Sequence, residues 1–489
     1  MRLTKTGLAT MAALWAFSVP AFAADLETQI RAVLNKPAIE GTRWGLRVED
    51  KEGHVIASIA PDERFQPASN TKVFVTTAVF DAMARAPFPN AGNGVRIESN
   101  HGRQNIVLIG RGDAMMKDTP DCEKDCLAAL ADAVVANLRI KGGVKRVGDV
   151  IGDDSFMPFE RWIISDRIRP GTRTQISALT INDNELTVLA NPGDAVGAPG
   201  RAALEIAAPE MEIVNQITTG APDSRAEVMV EMIPGTRQIR LFGSLPLGGK
   251  EQRLDFDIDD PADYAAIRLA QLLRERGVKV TGHPRARHAP MGPVDMIPAP
   301  VAPAIQAKDL STLNPPDLIE DLTVTSKVSQ NLHAHLFLKK LALTQGFSPT
   351  TPAGRIVLNQ TIARAGLPAS AYDFYDGSGL SPDNRITPRA MVHYLHWVEA
   401  QPWAADWRKT LPIGGVDGTL GRRMKNPVLQ GKVFAKTGTL LAANALAGYL
   451  VAASGRELTF AIYANDRPSG APSALPTMDE ALALIAAAN

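Results

Sequence analysis

The chain has 489 residues, enough for two or three domains, and its make-up (45% hydrophobic, 21% charged, 39 Gly, 35 Pro) is that of an ordinary globular protein. Lys plus Arg and Asp plus Glu number 52 each, so the net charge is zero. That balance leaves no global field to attract nucleic acid or an anionic membrane surface.

Arg2 and Lys5 precede a short apolar run, residues 8–17, which is followed by Ala21-Phe22-Ala23. A positive start, a short apolar core and an Ala-x-Ala end predict a secretory signal peptide over residues 1–23 and export of a chain that begins at Ala24. The run is too short to span a bilayer, and no later stretch reaches about 18 uninterrupted apolar residues, so no membrane span is expected.

Residues 44–50 and 54–59 alternate as strands about a turn at Lys51-Glu52-Gly53. Ala68-Ser69 opens an apolar-periodic helix carrying Val73, Phe74, Thr77, Phe80 and Met83, which ends before Pro87. Strands follow at 95–98 and 105–109, then an amphipathic helix at 127–138 and a strand at 146–152. Between 186 and 256 lie further strand-like runs, including 227–233 and 238–242. Asp260-Pro261 caps a helix running to Gly277, and the proline-dense stretch 289–303 reads as a linker. Helical segments cover 316–341 and 388–400. A strand at 432–436, a hairpin of 445–452 and 458–463 about Ser454-Gly455-Arg456, and a helix at 474–488 close the chain. Two strands at the start and three at the end can join into one antiparallel sheet with helices on both faces. This predicts an α+β fold in which the middle of the chain is an insertion.

The two cysteines, Cys122 and Cys126, are four positions apart. In an oxidising compartment a local disulfide is the favoured state, and it requires a turn, because this separation within a regular helix gives poor bridge geometry. Two soft ligands without a nearby histidine do not make a metal site.

Three short motifs occur in order: Ser69-Asn70-Thr71-Lys72, Ser329-Gln330-Asn331 and Lys436-Thr437-Gly438. A second copy of the last, Lys5-Thr6-Gly7, falls in the predicted signal peptide. Helix positions i and i+3 share a face, so Ser69 and Lys72 can touch. A serine hydroxyl needs a neighbouring base to become a nucleophile, and lysine becomes that base only when burial or a second cation disfavours its charge. Lys436 is the candidate for that cation. Isolated, Ser-x-x-Lys is more often a helix cap beside a surface charge; here the surrounding Val73, Phe74 and Val75 and the two partner motifs favour chemistry. Ser329 and Asn331 offer a hydroxyl and an amide from a facing turn. Lys436-Thr437-Gly438, followed by Thr439, offers a cation and two hydroxyls on a strand whose glycine admits a close backbone approach. The pairs His333/His335 and His393/His396 read as helix-face residues, since no His-Glu-x-x-His pattern accompanies them. No metal or organic cofactor is implied.

With these motifs stand four longer blocks: Pro67-Ala-Ser-Asn-Thr-Lys-Val, Asp376-Gly-Ser-Gly-Leu-Ser-Pro-Asp-Asn-Arg385, residues 411–423 (Leu-Pro-Ile-Gly-Gly-Val-Asp-Gly-Thr-Leu-Gly-Arg-Arg) and Ala435-Lys-Thr-Gly-Thr-Leu with Ala445-Leu-Ala-Gly-Tyr. Together they resemble the class C low-molecular-mass penicillin-binding proteins, the D-alanyl-D-alanine carboxypeptidase/endopeptidases of peptidoglycan. Gly148-Asp-Val-Ile-Gly-Asp-Asp-Ser-Phe and Ser177-Ala-Leu-Thr-Ile-Asn-Asp-Asn extend the likeness into the insertion. The resemblance implies a penicillin-binding/β-lactamase-like domain over residues 24–89 and 305–489. It further implies an inserted domain over 90–185 and 256–304, with a third, mainly β domain nested at 186–255.

It implies an acylated nucleophile at Ser69 with Lys72 as its base, and Ser329, Asn331 and Lys436 completing the cluster. Backbone N–H groups of Ser69 and Thr439 would form the oxyanion hole, with Gly438 beside them. The Thr437 and Thr439 hydroxyls would meet a substrate carboxylate, and Arg385 the carboxylate of the peptide's diamino acid. The implied ligands are peptides ending in D-Ala-D-Ala, cross-linked muropeptides and β-lactam antibiotics, and the implied location is the periplasm. Two departures stand out: Gln330 occupies the middle of Ser-x-Asn where the family usually has Asp, and Gly112-Asp113-Ala114 replaces the usual Gly-Asp-Pro. A β-lactamase or esterase shares the Ser-x-x-Lys logic, but the 260 positions between Ser69 and Ser329 do not fit its compact fold. No deacylating glutamate can be assigned either. A non-catalytic peptidoglycan-binding scaffold is disfavoured by the intact motifs.

Overall fold

Strand Arg43–Asp50 is almost wholly buried, and it finds its partners at opposite ends of the chain. In the computed structural model, which describes residues 21–100, 102–138, 140–141, 144–160, 175–292, 308–315 and 317–489, it lies within a five-stranded antiparallel sheet. The strand order is Val433–Thr439, Asn444–Val451, Glu457–Asn465, Arg43–Asp50 and Val55–Ile59. Most of the expected signal peptide, with its duplicate Lys-Thr-Gly, and most of the expected linker lie outside the described residues.

The central strands read as continuous apolar runs because both faces are covered. On one face, Leu446, Leu450, Phe460 and Ile462 pack beneath helices Ala21–Leu34 and Leu475–Ala488, through Leu26, Ile30, Met478 and Leu482. On the other, Ala447, Tyr449, Ala461 and Tyr463 meet helices Thr71–Met83, Asn331–Leu343 and Pro388–Glu399, through Phe74, Phe337 and Tyr394. Alternate residues of the same strands thus serve two separate cores.

The intervening chain builds its own sheet in the order Pro284–Pro290, Val150–Phe159, Arg103–Ile109, Gly94–Asn100 and Ser311–Thr312. Helices Leu127–Asn137 and Pro261–Glu275 share its apolar cluster, and Asp260 caps the latter by accepting from the Asp263 N–H at 3.0 Å. Smaller three-stranded sheets, among them Glu212–Gly220, Gln238–Pro246 and Glu227–Met232, occupy the stretch between. Among the described residues no helix is long and apolar enough to cross a membrane.

Three local expectations need adjustment. The strand expected at 146–152 is broken at Gly148-Asp149, giving Val144–Val147 and Val150–Phe159. The helical segment expected at 316–341 is two helices, Leu318–Lys327 and Asn331–Leu343, interrupted where Ser329 adopts a left-handed φ of +68°. Helices Ala21–Leu34 and Thr351–Arg364 were not expected at all. The cysteines do form a Cys122–Cys126 disulfide with Cα atoms 5.8 Å apart, and it sits in the loop before helix Leu127–Asn137, where a turn satisfies the geometry.

Candidate active site

Ser69 lies in a single 3₁₀ turn, Ala68–Asn70, that feeds directly into helix Thr71–Met83. The turn is tightly held. Ala68 is left-handed at φ +48°, its carbonyl accepts from Thr71 Oγ1 at 3.0 Å, and Asn70 Nδ2 donates to the Lys436 carbonyl at 2.7 Å. The last bond fixes the turn against strand Val433–Thr439. The helix behind it is buried from Thr71 to Ala82, so Lys72 points into protein, not solvent.

Lys72 is 0% exposed, and its Nζ donates to Ser69 Oγ at 2.9 Å, Asn331 Oδ1 at 2.7 Å and the Ser378 carbonyl at 2.7 Å. Burial pushes its ammonium down to about 7, and the nearby Asp376 carboxylate partly opposes that shift. Lys436 is buried too, with Nζ donating to Ser329 Oγ at 2.9 Å and to the Thr437 carbonyl at 3.0 Å. It is held well below the ordinary lysine range, first by burial and then by the Lys72 charge. The sequence reading assigned Lys436 the task of depressing Lys72. For Lys72 that expectation is corrected: burial is what lowers it, and the charge repulsion acts on Lys436, which burial already disfavours as a cation.

The five residues thus form two bonded sets, Lys72 with Ser69 and Asn331, and Lys436 with Ser329, which Ser329 and Asn331 bring together as near neighbours in sequence; Ser69, Ser329 and Asn331 are half-buried. Gly438 is buried against the Ser69 turn: a Cβ there would sit 2.5 Å from the Pro67 carbonyl oxygen and 3.0 Å from Ala445 Cβ. The glycine is thus required first for packing of strand on turn. Thr437 is buried and shares a 2.7 Å hydroxyl contact with Thr419, while the exposed Thr439 accepts from Asn444 Nδ2 at 3.3 Å. Arg385 is half-buried, and its Nη1 donates to the carbonyls of Pro382 and Asn384, which turns that group toward its own loop. Gln330, the off-pattern residue, caps helix Asn331–Leu343 by accepting from the Leu332 N–H at 3.2 Å. Aspartate is among the preferred N-cap residues, and Gln330 makes a capping bond of the same kind, so the exchange keeps this helix start capped.

Sequence reasoning missed Asp376. It is buried, and its carboxylate accepts from Gly379 N at 2.7 Å, Ser381 N at 2.8 Å and Asn384 Nδ2 at 2.9 Å. These bonds shape the loop that aims the Ser378 carbonyl at Lys72. The Asp376-Gly-Ser-Gly block carried the signal, though without a role attached. The four histidines singled out from sequence point to separate partners: His333 to Asp321 and Asp183, His335 to Thr351, His393 to the Ala365 carbonyl and His396 to Glu49.

The whole chain is similar to known proteins. The chain is 31% identical over 471 residues to a D-alanyl-D-alanine carboxypeptidase of Actinomadura sp. (strain R39), covering 92% of this chain and 83% of that one. It is 26% identical over 472 residues to the D-alanyl-D-alanine carboxypeptidase DacB of Haemophilus influenzae, covering 93% and 91%. The crystal structure of penicillin binding protein 4 from Haemophilus influenzae superposes with a TM-score of 0.75 at 20% identity, over 94% of this chain and 98% of that one. The α+β fold is therefore that of a class C low-molecular-mass penicillin-binding protein. A family model described as the D-Ala-D-Ala carboxypeptidase 3 (S13) family matches residues 26–489, and the chain belongs to that family.

Proposed function

We propose that this protein is an exported serine-type D-Ala-D-Ala carboxypeptidase with DD-endopeptidase activity on peptidoglycan, working through an acyl-enzyme at Ser69. The observation that carries the reading is Lys72 Nζ, 2.9 Å from Ser69 Oγ and buried so that its pKa falls to about 7, because a lysine that is neutral near physiological pH can take a serine proton. Neutral Lys72 accepts the Ser69 proton as Oγ attacks the carbonyl of the penultimate D-Ala, and the C–O bond of the tetrahedral adduct forms. The backbone N–H groups of Ser69 and Thr439 stabilise the oxyanion. Ser329 passes the proton from Lys72 to the departing amine, the C–N bond breaks, and D-Ala, or the second strand of a cross-link, leaves. Water then attacks the ester, releasing the shortened peptide and restoring the Ser69 proton.

Asn331 orients Lys72 and the substrate amide, while Lys436, Thr437 and Thr439 face the terminal carboxylate. A bound carboxylate would favour the charged form of Lys436, which burial otherwise opposes. Arg385 would have to release its loop carbonyls to reach a second carboxylate. The same Ser69 attack on a β-lactam gives a penicilloyl-enzyme. The leader pattern over residues 1–23 and a peptidoglycan substrate support a periplasmic location. In the same reading, residues 90–185 and 256–304 form an inserted domain, with 186–255 nested in it.

Fluorescent penicillin tests the reading. Stable labelling of wild type and none of Ser69→Ala is expected. Rapid release of the label would instead indicate a β-lactamase, and an unlabelled wild type a scaffold. Product analysis on purified cross-linked muropeptides tests the endopeptidase claim, which fails if only monomeric peptides are trimmed.

A further inference from the structure

Ser329 stands in an interruption that its own sequence does not favour. Its φ of +68° is a left-handed conformation that a serine adopts only when its surroundings hold it there. Two helices meet at this point, Leu318–Lys327 before it and Asn331–Leu343 after it. Their angle at the break fixes two contacts of the cluster at once, Ser329 Oγ with Lys436 and Asn331 Oδ1 with Lys72.

One buried side chain clamps this break from behind. His333, 1% exposed on the first turn of the second helix, bonds through Nδ1 to Asp321 Oδ1 of the first helix at 2.6 Å. Through Nε2 it bonds to Asp183 Oδ1 of the inserted segment at 2.8 Å. A ring with a carboxylate oxygen on each nitrogen donates from both and is an imidazolium. The two carboxylates hold its proton up to about 9 against the cost of burial. The Asp183 end is itself anchored, since residues Asn182, Asp183 and Asn184 all lie at left-handed φ of 50°, 55° and 59°. Asn182 Oδ1 accepts from Asp118 N at 2.8 Å, and Asn184 Nδ2 donates to the Gln175 carbonyl at 2.8 Å.

We propose that His333 is a positioning residue: by tying Asp321 to Asp183 across the Ser329 break, it sets where Ser329 and Asn331 stand against Lys436 and Lys72. This rests on the reading of those residues as the catalytic cluster. The Asp321 bond spans the break and so governs the angle, whereas the Asp183 bond fixes the pair to the insertion.

The two bonds can be separated chemically. Asparagine places its amide nitrogen near the position of Nδ1 and can keep the Asp321 bond; glutamine reaches toward Nε2 and can keep only the Asp183 bond. The test is the second-order rate constant of acylation by fluorescent penicillin, divided by the active-site concentration titrated with the same reagent, so that loss of folded protein does not enter. His333→Leu should fall about tenfold or more per titrated site, in line with the cost of sub-ångström to ångström misplacement. His333→Asn should recover most of that loss and His333→Gln should not. Rates for all three within twofold of wild type overturn the proposal. If His333→Leu does not fold, the remaining pair decides, and equal rates for His333→Asn and His333→Gln overturn it. Labelling of Ser69→Ala, by contrast, would overturn the catalytic reading itself and is scored separately.

Discussion

Gly379→Ala should cut acylation while leaving every side chain of the cluster in place. Gly379 sits at φ +88° in the loop shaped by Asp376, next to the Ser378 carbonyl that receives Lys72. A Cβ there would lie 1.9 Å from the Ala68 oxygen, 2.3 Å from the Ala68 carbonyl carbon and 2.9 Å from Ser69 N, where real Cβ contacts stay beyond 3.0 Å. The obstructing atoms are backbone, so no flexible side chain can yield. The loop and the nucleophile turn must separate by about 1 Å, a misplacement that costs about 100-fold in rate, or about 2.7 kcal/mol of barrier. The left-handed φ adds about 1–2 kcal/mol of lost stability. Gly455→Ala separates the two effects: Gly455 has φ +86° with nothing within 4 Å of its added Cβ, so it should lose stability and keep its rate. The assay is penicillin acylation per folded molecule, with thermal unfolding measured alongside. A Gly379→Ala rate within threefold of wild type would refute the packing argument.

Other outcomes follow from the same geometry. In the proposed mechanism acylation needs neutral Lys72, so with its ammonium at about 7 the rate should climb with pH. It should reach about one-tenth of its plateau at pH 6 and about nine-tenths at pH 8; a profile flat from pH 5.5 to 9 would remove Lys72 as the base. Replacing Cys122 and Cys126 by serine opens a loop of a few residues and should lower unfolding free energy by about 2 kcal/mol in a denaturant titration. The acylation rate should stay within twofold, since the bridge lies in the loop before helix Leu127–Asn137 and outside the Ser69 cluster.

The terminal strands and helix Thr71–Met83 were legible in sequence because their apolar residues run in unbroken blocks between clear turns. The five clustered residues were legible for a different reason: they are carried in short motifs whose order fixes their identity. The break at Ser329 was not. Leu318, Leu322, Leu332 and Leu336 keep a helical rhythm across it, because each flanking helix buries its own stripe. The interruption is imposed by partners distant in sequence, Lys436 and Asp183 among them. The same holds for the source of the Lys72 shift. Neighbouring cations can be inferred from motifs, but complete burial depends on how helices Thr71–Met83 and Asn331–Leu343 close over the lysine. Asp376 escaped because its work is done on backbone N–H groups of its own loop, which a residue pattern does not display.

The central sheet joins strand Arg43–Asp50 to strand Glu457–Asn465, register by register from Arg43↔Asn465 to Asp50↔Leu458. On a ribosome the first of these strands emerges some four hundred residues before the second. Until then its hydrogen-bonding edge is open and the nucleophile turn has no strand to rest on. Such non-local pairing is slow and leaves an unpaired edge available to other chains. A chain lacking its last strands therefore holds the Ser69 turn without the strand that packs on it. The cluster around Ser69, which takes Lys436 from the first of those late strands, is complete only when they dock.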